Sequence, residues 1–176
     1  MKKGRSVRRR NVEKSVPQYE AAVQRFIWEV RSIHAHLEKI DDVWAKSMSV
    51  TGPQWRLLMA LSELGDEGTP INKIAQKLLV DPSFVTTQSK MLEKLGLLHR
   101  MPSPEDARIV LLFPSKRFAE LRTRTSSQRT DLYEFMMSKI GTARFLHQAE
   151  ELANLSSWIE KVSKLAELQI DKIRLE

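Results

Sequence analysis

Residues 81–108 read DPSFVTTQSKMLEKLGLLHRMPSPEDAR, and their punctuation decides the fold. Asp81 followed by Pro82 is a helix start. The carboxylate caps free N–H groups, and proline takes a first-turn position whose N–H has no partner to lose. The helix it opens reaches about Leu95 and stops at Gly96, a residue that suits the left-handed turn after a helix. Leu97-Leu98-His99-Arg100 and Ile109-Val110-Leu111-Leu112-Phe113 then flank a Pro-rich tip, as the strands of a β-hairpin do. At about 100° per residue from Ser83, the side chains of Val85, Ser89 and Leu92 form an inner face. Ser83, Thr87, Lys90, Met91 and Lys94 lie on the opposite side, which holds no acid. Hydroxyl and ammonium groups suit phosphates and base edges, and a methionine suits a thymine methyl. A solvated amphipathic helix has the same composition, so the surrounding segments must choose between the two readings.

Upstream, Thr51-Gly52-Pro53-Gln54 opens a helix through Trp55, Leu58 and Leu61 to about Leu64, and a short helix follows over Ile71–Leu79. Two short helices on a tight turn, then a hairpin, make a winged helix-turn-helix. The hairpin carries Asp106 and Arg108 at its tip and Arg100 at its base. A basic residue on a rigid ribbon can reach an adjacent minor groove, where A·T-rich DNA concentrates negative potential. Asp106 is placed to orient Arg108 by a charge-assisted hydrogen bond.

Longer helices flank this core. Ala22, Phe26, Val30, Ile33, Leu37, Ile40 and Trp44 recur at three and four, predicting a helix from about residue 18 to 46. Ser115 to Ile140 reads as one long helix. After Gly141 a last helix carries Leu152, Leu155, Ile159, Val162, Leu165 and Leu168. That stripe is too long for a small monomer to cover, and with the first helix it suits a homodimer interface. Packing on the Ser115 helix is the alternative. The expected class is mainly α (α+β), in four parts: a basic disordered arm over 1–16, an N-terminal dimerisation helix over 17–48, a winged helix-turn-helix DNA-binding domain over 49–114, and C-terminal dimerisation helices over 115–176.

Charge supports a polyanionic partner. The 176 residues carry a formal charge of +7. Seven basic groups against one acid give +6 in residues 1–16, and eleven against five give +6 in residues 73–129. The segments 17–72 and 130–176 are net acidic. Each phosphate neutralised by such a block releases condensed counterions. The chain has no cysteine, which excludes disulfides, thiol nucleophiles and thiolate zinc sites. No apolar run is long enough to span a bilayer, and no apolar stretch follows the basic N-terminus. The expectation is a soluble cytoplasmic protein without membrane association.

Here the residues carry a family likeness. Ser49-Val-Thr-Gly-Pro-Gln-Trp-Arg-Leu-Leu, Ile74-Ala-Gln-Lys-Leu-Leu-Val-Asp, Val85-Thr-Thr, Leu92-Glu-Lys-Leu-Gly-Leu-Leu-His-Arg and Glu105-Asp-Ala-Arg stand in the order and spacing of MarR-type regulators. The chain resembles that family closely over about residues 49–117. The resemblance implies a homodimer on pseudo-palindromic double-stranded DNA, acting as a repressor released by a small-molecule effector. It implies that Ser83, Thr87 and their neighbours read the major groove and Arg108 the minor groove. The expected DNA-binding set is Ser83, Phe84, Thr86, Thr87, Gln88, Lys90, Met91, Lys94, Arg100 and Arg108. Departures from the pattern are Ser89, where the family usually has an aliphatic residue, Lys90, where an acid is frequent, and Phe113-Pro-Ser-Lys-Arg, in place of Leu-Thr-x-x-Gly.

Other candidate sites are weaker. Trp28, His36, Trp44, Met48, Trp55 and Arg56 are candidates for an effector pocket between the first two helices, taking an aromatic or acyl compound. Aromatic residues at helical spacing serve equally as core. His34 and His36 lie on opposite helix faces and do not share an ion, so no metal or cofactor is expected. No phosphate loop, nucleophile elbow or zinc-protease motif appears, and the chain does not read as an enzyme. Two alternatives remain, a ligand-independent DNA binder and a winged-helix protein-interaction module.

Overall fold

Helix caps set the order of elements. In the computed structural model, which describes residues 16–175, these are α1 (Val16–Ser47), α2 (Gly52–Leu64), β1 (Thr69–Pro70), α3 (Ile71–Leu78), α4 (Pro82–Lys94), β2 (Leu98–Pro102), β3 (Val110–Pro114), α5 (Lys116–Arg124), α6 (Ser126–Ile140) and α7 (Thr142–Leu175). The expected basic arm lies outside the described residues, except that Val16 already belongs to α1. Thr51 caps α2 in a reciprocal box: its hydroxyl accepts from the Gln54 N–H while Gln54 Oε1 accepts from the Thr51 N–H. Gly96, at φ +70°, closes α4 in a Schellman turn, its N–H reaching Glu93 O and that of Leu97 reaching Leu92 O.

The chain divides into two compact units, up to Leu121 and from Arg122 onward. In the first unit α2 is the central helix. Trp55, Leu57, Leu58, Ala60 and Leu61 are all buried, which a helix surrounded on most sides requires. Ala45, Met48, Ile74, Ala75, Val85, Leu92, Leu97, Leu98, Leu112 and Phe118 complete that core. The sheet is antiparallel in the order β1-β3-β2, with Arg100 opposite Leu112 and Thr69 opposite Leu112 on the other edge. The hairpin was expected; β1 was not, since two residues carry no readable period.

The long helix expected over Ser115–Ile140 is two helices, α5 and α6. The Thr125 hydroxyl donates to Arg122 O and the Ser126 hydroxyl to Thr123 O. Such local bonds compete with the helical ladder and favour a break. Along α7, Leu152, Trp158, Ile159, Val162, Leu165 and Leu168 are exposed. In the first unit, Tyr19, Val23, Trp28, Ile33, Leu37 and Val43 are exposed along α1. Each unit therefore carries apolar side chains that its own residues leave uncovered.

The turn between α3 and α4 holds one strained residue. Leu79 sits at φ 54°, ψ 44°, and its side chain is 88% exposed, so no packing offsets the left-handed backbone. Glycine adopts that conformation freely. Leu79→Gly is expected to raise stability by about 0.5–1 kcal/mol, read as a higher urea midpoint at unchanged slope. An unchanged or lower midpoint would show that the exposed side chain contributes more than the strain costs.

Candidate nucleic-acid interface

The outer surface of α4 is built from its cap downward. Asp81 Oδ1 accepts from the Ser83 N–H at 2.7 Å, fixing the first turn. Hydrogen bonds from the Ser83 hydroxyl and N–H hold the Asp81 carboxyl below the ordinary aspartate value. Thr86 and Thr87 donate to the carbonyls four residues earlier, at Pro82 and Ser83. Ser83, Thr87, Lys90, Met91 and Lys94 are exposed, while Val85, Ser89 and Leu92 are fully buried, as the rotation predicts. Glu93, the acid at the side of this face, is engaged by Arg100.

The wing stands beside that face. Ser83 and Thr86 of α4, Asn72 of α3, and Arg100, Arg108 and Val110 of the hairpin line one cleft of about 350 Å³. Arg108 is exposed. Asp106 does not orient its guanidinium as expected. Its Oδ1 instead accepts from the Arg108 backbone N–H at 2.9 Å, so the acid shapes the turn, and the Ile109 N–H closes on Asp106 O.

Three expected interface residues have other surroundings. Phe84 is half-buried and lines a second cleft of about 320 Å³ with His34, Glu38, Pro53, Arg56, Leu78 and Val80. Gln88 is half-buried, its Oε1 held at 3.1 Å by Nε2 of Gln54. Thr51 N–H donates to Gln54 Oε1, which fixes the amide orientations along this chain. Arg100 points inward: its side chain is 12% exposed and its Nη1 donates to Ser89 Oγ and Thr86 O. A strand places alternate residues on opposite faces, and this register turns Arg100 onto α4 rather than outward. Gln54 and Ser89 had sequence signals, a capping box and a polar residue on an apolar face, but neither signal names a partner.

The effector pocket expected from Trp28, His36, Trp44, Met48, Trp55 and Arg56 is not assembled. Met48 and Trp55 are core residues, and Trp44 is half-buried against that core. Trp28 lies sixteen residues from Trp44 on one helix, about 24 Å along its axis. It is exposed with Arg31 stacked over it, and His36 is exposed with Nδ1 on Ser32 O. Arg56 is paired with Glu38 at 3.1 Å and Asp41 at 3.7 Å, and Trp55 beside it bonds the same Asp41 carboxylate. Burial raises the Asp41 pKa against the pull of Arg56.

This arrangement has known counterparts. Residues 50–110 match the model of the MarR family. The winged helix is similar to that of the MarR family over this segment. The chain is 25% identical over 134 residues to the Bacillus subtilis HTH-type transcriptional regulator YhbI, covering 76% of this chain and 86% of that one. Its fold matches S. aureus MepR, solved as a DNA complex, at a TM-score of 0.66, with 18% identity over 76% of this chain and 97% of the other. It also matches Streptococcus pneumoniae FabT, solved in complex with DNA, at 0.61, with 19% identity over 80% and 99% of the two chains.

The Asp81 cap generates a pH prediction. Because the folded state lowers this pKa, the carboxylate's contribution is complete above the ordinary value of 3.8 and is lost as pH falls through the folded value. Asparagine keeps the cap without the charge. The stability gap between the native chain and Asp81→Asn should hold from about pH 7 to 5 and close below 3.8, in urea titrations across pH. A gap that widens on acidification would contradict the assigned cap.

Proposed function

We propose that this chain is a transcriptional regulator that binds duplex DNA sequence-specifically as a homodimer, as a repressor released by a small molecule. Among MarR-type chains this is a regulator and not an enzyme. The observation that carries the DNA reading is one cleft joining the acid-free outer face of α4 to the exposed Arg108 of the wing. A helix in the major groove and a cation in the adjacent minor groove require that juxtaposition. The DNA complexes solved for MepR and FabT, which share the fold, support it.

The groove-facing set is Ser83, Thr87, Lys90, Met91 and Lys94, with Arg108 on the wing and Thr86 at the cleft between them. Dimerisation draws support from the uncovered apolar stripes of α1 and α7, since long exposed apolar surface marks an interface. The effector reading moves to the cleft beside Arg56, where Pro53, Leu78, Val80 and Phe84 offer an apolar wall and the guanidinium offers a partner for an aromatic or acyl acid. A ligand there would touch α1, α2 and the first turn of α4 together, so its binding energy would act on the spacing of the two reading helices.

Fluorescence anisotropy against the chain's own upstream DNA and a scrambled duplex tests this reading. Preference for the native duplex by about ten-fold or more is expected, with an attenuation by aromatic or acyl acids that Arg56→Ala abolishes. Lys90→Ala or Lys94→Ala should each reduce the slope of log K on log salt by about 0.9, and removal of residues 1–15 should flatten it further. An unchanged slope would take the corresponding group out of the interface. Absence of binding to either duplex at low salt would favour the protein-interaction module.

A further inference from the structure

We infer that Arg100 and Ser89 form a positioning clamp that fixes the wing against the recognition helix, and that the Arg100 charge is not spent on DNA. The inference deepens the DNA reading and rests on it. Three groups of α4 hold this residue of β2. Thr86 O accepts from Nη1 at 3.3 Å, the buried Ser89 hydroxyl accepts from the same nitrogen, and the Glu93 carboxylate stands beside them. Glu93 Oε1 accepts the Arg100 backbone N–H at 3.0 Å, and its Oε2 lies 3.8 Å from Nε. The Ser89 hydroxyl in turn donates to Thr86 O at 3.1 Å.

Each partner explains another. A fully buried hydroxyl on an apolar helix face costs stability unless bonded, and Ser89 is bonded both as donor and as acceptor. A mostly buried guanidinium needs a counter-charge, which Glu93 supplies. Since β2 is an edge strand, the Arg100 N–H on its open side would otherwise be unpaired, and the Glu93 carboxylate takes it. The Arg100 charge is therefore countered within the protein by Glu93.

Its mechanical consequence lies at the tip. Arg100 pairs with Leu112 and Pro102 with Val110, so the strands run as a rigid ribbon from the clamp to the turn that carries Arg108. Three residues of strand at about 3.4 Å each make a lever of about 10 Å, and a tilt of about 10° at its base moves the tip by about 2 Å. A displacement of that size separates a guanidinium seated in a minor groove from one outside it. The clamp thus determines which flanking base steps Arg108 can read.

The test uses the full-length chain and a duplex library with a randomised central region. Sequences are selected with the native protein, Arg100→Gln, Ser89→Ala and Arg108→Ala, and the salt slope is measured on the best native duplex. Arg100→Gln is expected to keep the native preference at the central positions and the native salt slope. It should lose A·T preference in the flanks by about five-fold, as Arg108→Ala does, but without that variant's drop of about 0.9 in slope. Ser89→Ala retains every charge and should weaken flank preference in the same direction; it decides the matter if circular dichroism shows Arg100→Gln to be unfolded. A slope reduced by about 0.9 in Arg100→Gln with flank preference intact would make Arg100 a phosphate contact and overturn the clamp. Unchanged flank preference in both clamp variants would overturn it as well. Failure of the native chain to enrich any sequence would overturn the DNA reading, and the clamp with it.

Discussion

The last carbonyls of α4 must be satisfied, and the way this chain does so fixes the rest of the reading surface. A helix leaves its final four C=O groups without partners. Here the Gly96 and Leu97 N–H groups return to Glu93 O and Leu92 O, which turns the chain directly into β2. Ser115, just after β3, donates its hydroxyl to Gly96 O at 2.7 Å, accepts from the Phe118 N–H, and bonds Leu97 O through its own N–H. Arg117 of α5 reaches Leu95 O at 2.9 Å. One helix end thus joins both strands of the wing and the start of α5, and the wing inherits its direction from α4. With Leu97, Leu98 and Leu112 buried beside Leu92, the apolar core enforces the same geometry that the hydrogen bonds specify.

Much of this was legible because it is encoded locally. Asp81-Pro82, Thr51-Gly52-Pro53 and Leu95-Gly96 name their helix boundaries through the chemistry of single residues, and the inner face of α4 follows from the helical repeat alone. The motif likeness over residues 49–117 then supplied the family resemblance. Long-range pairings were not legible. Arg100 on a predicted strand looks the same whether it faces solvent or α4, since alternation along four residues does not fix which face is which until the register is set. The break at Thr125 arises from hydroxyl groups competing with backbone partners, a contest that an apolar repeat does not record. The six residues expected to line an effector pocket do not share one cleft, and four of them were chosen for being aromatic or imidazole on helices. Met48 and Trp55 proved to be needed inside the core, whereas Trp28 and His36 lie outside it.

The departures from the family pattern acquire physical roles in this account. Ser89 is a buried hydroxyl that receives a guanidinium, and Ser115 is a buried hydroxyl that ties a strand to two helix ends. Phe113-Pro114-Ser115-Lys116-Arg117 therefore replaces the family's usual stretch with side chains that still close the base of the wing. Lys90 leaves the outer face of α4 without an acid, which raises the electrostatic share of any affinity for a polyanion. The apolar stripes on α1 and α7 belong to a different requirement, the burial of surface that neither unit covers by itself.

The central claim is that α4 enters a major groove while the wing enters the minor groove beside it. Dimethyl sulfate footprinting on a bound duplex reports both at once, because it modifies guanine N7 in the major groove and adenine N3 in the minor groove. The account predicts guanine N7 protection in two patches about one helical turn apart, with adenine N3 protection in the flanking steps. Protection confined to one groove, or spread evenly along the duplex, would contradict it.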